Sequence, residues 1–269
     1  MSLPIELVIV RHGESEGNVA NRMSKEGDDS AFTDEFRERH SSLFRLTDVG
    51  IQQAKSAGEW LRNEFKSRKI FDRFYASEYV RAMETAALLD LPNAKWFTSF
   101  YLRERDWGEL DVMPKQERMG PYYDSLRRKD SEPFHWRPPG GESVADVAHR
   151  TDRVLGTLDR ECSDGRAILV CHGEVMWTLR VLLERISQDE YKELDLSNHA
   201  WDRIHNCQIL HYSRRHPTTG DLSPHISWMR SICPWDNTLS SMQWTRIDRI
   251  SYTNEELLAR VRNHVRMVN

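Results

Sequence analysis

Two short apolar runs, each ending in a histidine and a glycine, constrain this chain more than any other feature. The first is Ile5-Glu6-Leu7-Val8-Ile9-Val10, which leads into Arg11-His12-Gly13-Glu14-Ser15-Glu16-Gly17-Asn18. The second is Ala167-Ile168-Leu169-Val170, which leads into Cys171-His172-Gly173-Glu174. Runs of this kind read as strands buried on both faces. Polar residues placed directly after such a strand stand at its carboxyl end, where open α/β sheets bind ligands. Arg11 offers a planar donor fork suited to phosphate. His12 offers a ring nitrogen able to act as acid, base or nucleophile. Gly13 and Gly173 let the backbone approach a ligand closely. One histidine in such a place would read as structural, but two built alike point to a shared site.

The segments between alternate helix and strand signals. Ala20 to Arg45 is polar and without period, and reads either as a solvated loop with a short helix or as an insertion beside the pocket. Thr47 is a plausible N-cap for a long helix whose core face is Ile51, Ala54, Ala57, Trp60, Leu61 and Phe65. Phe71 to Ala76 reads as a strand, with Ser77 able to cap the next helix and Arg81 one turn in. Ala94 to Ser99 reads as a third strand. Leu102-Arg103-Glu104-Arg105-Asp106-Trp107-Gly108 sets carboxylates among cations and aromatics. Leu110 to Pro139 is irregular and broken by Pro133, Pro138 and Pro139. Val144, Val147, Val154, Leu155 and Leu158 give the following helix an apolar face. Asn206 to Tyr212 and His225 to Met229 read as paired strands. Trp228, Trp235 and Trp244 read as packing residues. Ser251 to Met267 reads as a terminal helix, with Thr253 and Glu256 at capping-box spacing and Leu257, Leu258, Val261 and Val265 on its apolar side.

Arg11-His12-Gly13-Glu14 resembles the signature of the histidine phosphatase superfamily, also called phosphoglycerate mutase-like. The resemblance continues in order through Leu46-Thr47 with Gly50 and Gln53-Ala54, through Ser77 with Arg81-Ala82 and Thr85-Ala86, through Leu102 to Gly108, through Gly140-Gly141-Glu142-Ser143, and through His172-Gly173. It covers roughly residues 5 to 212. It implies one domain over 1–269, an α/β/α three-layer sandwich around a mostly parallel sheet. A lid insertion at 109–139 and a carboxyl-terminal elaboration at 214–269 complete the expected domain.

The resemblance also implies roles. His12 is the expected nucleophile, passing through a phosphohistidine. Arg11, Arg81, Asn18, His172 and Gly173 are expected around the phosphate, with His172 as an imidazolium. Glu104, rather than Asp106, is the expected proton donor. The expected activity is phosphomonoester hydrolysis. A phosphoglycerate mutase is the alternative, although mutases of the family usually read Glu-Arg-His-Tyr-Gly and His-Gly-Asn-Ser-Leu-Arg. This chain reads Glu104-Arg105-Asp106-Trp107-Gly108 and His172-Gly173-Glu174-Val175-Met176-Trp177. A non-catalytic phospho-ligand binding module is the third reading.

Composition narrows the partners. A formal net charge of −4 argues against broad binding to nucleic acid or an anionic membrane. The expected partner is a small phosphorylated substrate, and oligomeric state is left open. Cys162, Cys171, Cys207 and Cys233 are widely spaced and read as free thiols of a reducing compartment. The first apolar run is too short for a signal peptide or a span, so a cytoplasmic protein is expected. His205, His211 and His216 do not make a metal-ligand set, and neither a metal nor an organic cofactor is expected.

Overall fold

The computed structural model describes residues 2–66, 70–262 and 264–268. In chain order the first half contains β1 (Glu6–Arg11), α1 (Glu16–Lys25), α2 (Asp34–Glu38), α3 (Asp48–Glu64), β2 (Arg73–Ser77), α4 (Val80–Leu88), β3 (Trp96–Ser99), α5 (Lys115–Arg118) and α6 (Tyr123–Ser131). The second half contains α7 (Val144–Glu161), β4 (Arg166–Cys171), α8 (Gly173–Glu184), α9 (Gln188–Leu196), β5 (Ile209–Ser213), β6 (Trp228–Ile232), β7 (Thr245–Arg246) and α10 (Asn254–Arg262).

The seven strands form one sheet in the order β3-β2-β4-β1-β5-β6-β7. Neighbours from β3 to β1 are parallel, and β5, β6 and β7 add on by antiparallel pairing. The two apolar runs recognised in the sequence are the adjacent central strands β1 and β4. Val10 lies opposite Val170 and Arg11 opposite Cys171. His12 and His172 therefore leave neighbouring strands at the same level.

Alternation along these strands builds the layers. Leu7, Ile9, Ala167 and Leu169 face one core with Val154, Leu158 and Leu179 of α7 and α8. Val8, Val10, Ile168 and Val170 face the other with Ala54, Leu61, Ala82 and Ala86 of α3 and α4. Each large aliphatic side chain buried here contributes about 2 kcal/mol. The result is a three-layer α/β/α sandwich, the architecture expected from the sequence.

The helix starts follow their capping chemistry. The Thr47 side chain accepts from the Gly50 N–H at 3.1 Å. Ser143 and Asp146 close a reciprocal capping box at the start of α7. Ser77 does otherwise than expected. It is the last residue of β2, and α4 begins after Tyr79 without a side-chain cap. Its hydroxyl is drawn instead to His172.

The irregular stretch after Leu110 carries α5 and α6 and is pinned to the α1–α2 region. Arg37 donates twice to Glu117, and Ser41 Oγ donates to Asp111 Oδ2 at 2.5 Å. At the carboxyl end α10 stops at Arg262. Position 263 of the expected helix lies outside the described residues, and 264–268 are not helical. Leu257, Leu258 and Val261 are exposed rather than packed. The tryptophans divide: Trp228 packs on His216 and Trp244 on His211, whereas Trp235 is 38% exposed and donates to the Asn206 carbonyl.

Candidate active site

His12 is the centre of the site and only 2% exposed. Its ring Nδ1 lies 2.7 Å from the Gly13 carbonyl oxygen. A carbonyl only accepts, so Nδ1 carries the proton and Nε2 bears the lone pair. Arg81 Nε donates to that Nε2 at 3.2 Å. Burial, then the charges of Arg81 and Arg11, push the His12 pKa well below its ordinary 6.5. Tautomer and charge thus agree on a neutral ring with an unprotonated Nε2.

The backbone around it leaves no room for a side chain at position 13. A Cβ on Gly13 would sit 2.4 Å from the Gly50 carbonyl oxygen at the start of α3. The Gly13 N–H donates to Thr85 Oγ1 at 3.0 Å, tying the turn to α4.

Cations and donors surround the ring. Arg81 is buried on α4, and its Nη1 donates to the Ser41 carbonyl at 2.6 Å. That bond brings the segment after α1 to the site, which is the insertion reading of Ala20 to Arg45. Arg11 Nη1 donates to the Ile204 carbonyl at 2.6 Å, while its Nε is buried without a partner among the described residues. A Cβ on Gly173 would be 3.6 Å from that Nε.

His172 is the N-cap of α8, and its ring centroid is 5.1 Å from that of His12. Its Nε2 is 2.8 Å from Ser77 Oγ, and its Nδ1 is buried without a partner among the described residues. Burial, then Arg81, His12 and Arg11, hold its pKa well below 6.5. The ring is therefore neutral here, not the expected imidazolium. A neutral ring still donates from Nδ1 if the Ser77 hydroxyl donates to Nε2. Asn18 Oδ1 accepts from the Ser15 N–H at 3.1 Å and from Asn206 Nδ2 at 3.1 Å. Its amide nitrogen is the atom left to donate to an anion.

Glu104 sits on the loop after a 3-10 turn at Phe100–Leu102. Burial, then the nearby Glu174, raise its pKa; the Arg105 N–H, Arg81 and Arg11 pull against them and lose. Asp106, the rejected choice, is exposed, and its Oδ1 accepts from the Gly108 N–H at 2.8 Å. The loop is held by a buried network. Arg150 donates to both Glu142 oxygens, at 2.9 and 3.0 Å, and to the Glu104 carbonyl at 3.1 Å. Arg103 donates to the same carboxylate at 2.7 Å. Arg105 is buried beneath Trp107 and Trp136, with Nη1 3.6 Å from Glu174 Oε2.

Several contributors escape a reading of the sequence. Ser77 looked like a cap, Thr85 like part of the pattern around Arg81, and Asn206 like the start of a strand, while Ile204 carried no signal. Glu142 carried a signal, since Gly-Gly-Glu-Ser stood before a helix, but only the fold brings its carboxylate to Arg150 and Arg103.

The assembled group can hold a tetrahedral anion against one unprotonated imidazole nitrogen, with the Glu104 carboxyl group, its pKa raised, nearby. The family model of the histidine phosphatase superfamily (branch 1) matches residues 7–208. A 2,3-bisphosphoglycerate-dependent phosphoglycerate mutase of Methylobacterium radiotolerans is 28% identical over 196 residues, 71% of this chain and 84% of that protein. One from another Methylobacterium is 31% identical over 206 residues, covering 71% and 86%. The fold is also that of a mycobacterial glucosyl-3-phosphoglycerate phosphatase, with TM-score 0.58, 22% identity and coverage of 77% and 92%. The alpha-ribazole phosphatase of Shigella flexneri gives TM-score 0.60 and 19% identity, covering 82% and 98%. With its signature residues gathered at the ends of β1 and β4 and three-quarters of its length matched by the family model, this chain belongs to the histidine phosphatase superfamily, branch 1.

Proposed function

We propose that the protein hydrolyses small phosphomonoesters through a phosphohistidine on His12. The observation that carries this reading is the His12 ring: Nδ1 is tied to the Gly13 carbonyl, and the unprotonated Nε2 accepts from Arg81. The Nε2 lone pair attacks phosphorus, and the bond from phosphorus to the leaving oxygen breaks. Glu104, whose pKa is raised by burial and by Glu174, gives a proton to that oxygen in this reading. Arg11 and Arg81 take up the charge on the non-bridging oxygens, with Asn18, His172 and the Gly173 backbone N–H completing the cradle. Water then attacks the phosphohistidine, returns a proton to Glu104 and releases phosphate. The stretch 109–139 forms the cover over the site in this reading.

The curated relatives named as phosphoglycerate mutases support a second reading, return of the phosphoryl group to another hydroxyl of the same molecule. Asp106, Trp107 and Glu174 stand where the mutase pattern has other residues, and they favour hydrolysis. A panel of phosphomonoesters including 3-phosphoglycerate, given to wild type and His12→Ala, tests both. Phosphate release abolished in His12→Ala is the expected result. Isomerisation of 3-phosphoglycerate without phosphate release would replace it with the mutase. The absence of any turnover would leave a phospho-ligand binding module.

A further inference from the structure

Two exposed tryptophans stand at the same end of the sheet as His12. The described residues include all nine tryptophans, and of these only Trp201 and Trp235 are exposed, at 53% and 38%. Topology fixes their level. β5 runs antiparallel to β1 with Ile209 opposite Val10, and β6 runs antiparallel to β5 with Ile232 opposite Ile209. The chain entering β5 and the chain leaving β6 therefore both lie beside the turn that carries His12. Trp201 is in the first of these segments and Trp235 in the second. Neighbouring strands are about 4.8 Å apart, so β6 ends about 10 Å to the side of β1.

The indoles tie the two segments to each other. Trp201 Nε1 donates to the Thr238 carbonyl at 2.9 Å, and Trp235 Nε1 donates to the Asn206 carbonyl at 2.7 Å. Each ring thus uses its one donor on the backbone of the opposite segment. The segments are also braced internally. Asp236 Oδ1 accepts from the Thr238 N–H at 2.9 Å, and the Ala200 carbonyl accepts from His205 Nε2 at 2.8 Å. Both rings are held in place while much of their apolar surface stays in water. His199 meets Trp201 edgewise at 5.8 Å, and among the described residues no ring or guanidinium is stacked on either indole.

The same segments build the cradle. Asn206 Nδ2 donates to the His12 carbonyl at 3.1 Å, and the Cys207 N–H donates to that carbonyl at 3.2 Å. The Ile204 carbonyl receives Arg11. Trp235 is therefore joined to His12 through Asn206 alone. Apolar rings held rigid in water beside an anion cradle offer a stacking surface to whatever is attached to the anion.

We propose that Trp201 and Trp235 are specificity-determining residues, and that the substrate is a phosphomonoester whose alcohol carries a flat aromatic or heteroaromatic ring close to the phosphate. This rests on the hydrolytic reading above and adds the substrate class. Both indole N–H groups are already bonded, so the rings recognise a flat π surface and not a hydrogen-bonding edge.

The test compares adenosine 5′-monophosphate with methyl ribofuranoside 5-phosphate as substrates of the full chain. The two share the leaving oxygen and the closed sugar and differ in the flat ring. Wild type should favour the nucleotide by roughly tenfold or more in kcat/KM, through KM. In the double variant Trp201→Leu, Trp235→Leu the ratio should fall toward one. The ratio is internal to each preparation, so partial loss of folded protein does not affect it. Equal use of the two esters by wild type, or a ratio unchanged in the double variant, overturns the proposal while leaving the hydrolytic reading intact. If neither ester is hydrolysed, calorimetry of both with the His12→Ala protein decides the subsite, and the phosphomonoester panel judges the hydrolytic reading separately. Equal or absent affinities there overturn the proposal, and tighter binding of the nucleotide that is lost when both tryptophans are replaced supports it.

Discussion

Arg81 Nε donates to His12 Nε2 at 3.2 Å, a contact that joins the Gly13 carbonyl in fixing the tautomer of the central histidine and joins burial in keeping it neutral. A guanidinium never gives up its proton at neutral pH, so the nitrogen it meets must be unprotonated. Removing the charge removes that bias. Arg81→Met should lower kcat/KM by roughly a hundredfold or more, since it also strips a donor from the phosphate. In steady-state kinetics the acidic limb of the profile should move toward higher pH. A limb that stays in place would count against Arg81 as a contributor, beside burial, to the neutrality of His12.

The two buried neutral histidines make stability depend on pH in a definite direction. His12 and His172 have folded pKa values well below 6.5, while the unfolded chain protonates near 6.5. Below that pH the unfolded state binds more protons, so stability is complete above it and falls as pH drops. One unit below, each ring costs about 1.4 kcal/mol. Denaturant melts at pH about 7.5 and about 5.5 should therefore differ, and His172→Gln should flatten the difference. Identical slopes in the two proteins would refute the neutral assignment of His172.

Glu104 must be protonated to serve as acid, and its pKa is raised. Activity on alkyl phosphates should fall as pH rises through that value, and the limb should lie above the usual carboxylate range. Glu174→Gln removes the neighbouring negative charge and should shift the limb to lower pH. Glu104→Gln should slow alkyl phosphates far more than p-nitrophenyl phosphate, whose leaving group needs little protonation. Equal losses on the two substrates would remove Glu104 from the role of acid.

Ser77→Ala deletes the hydroxyl 2.8 Å from His172 Nε2. The expected cost is about 1 kcal/mol of stability and roughly a tenfold loss in kcat/KM, because the ring loses the partner that orients it. Thermal melts and kinetics on the same preparation would separate the two effects. Full activity would mean that Ser77 does not direct the ring.

Gly108 has φ +53°, and a Cβ there would meet the Pro139 carbonyl oxygen at 2.0 Å. Gly108→Ala should destabilise the protein by about 2 kcal/mol or more, through both the backbone and the collision. It should also displace the loop that carries Glu104. A melting temperature equal to wild type would contradict this packing.

Much of this was legible in the sequence where local chemistry and fold agree. The strands ending in Arg11-His12 and Cys171-His172 were readable because strands buried on both faces have few alternatives. Thr47 and Ser143 were readable as caps because capping is local. Ser77 was not, because its partner His172 is 95 positions away and a serine before a helix has a simpler local use. The charge of His172 was also out of reach, since it depends on burial and on Arg81 and Arg11 together. α10 keeps its apolar side exposed, so periodicity alone described the helix without its environment.

The central claim is that His12 Nε2 takes the phosphoryl group. Rapid quenching of wild type with a radiolabelled phosphomonoester, followed by peptide mapping, tests it most directly. The account predicts an acid-labile, alkali-stable label on the peptide carrying His12, absent from His12→Ala. Label on another residue, or phosphate release that persists undiminished in His12→Ala, would contradict it.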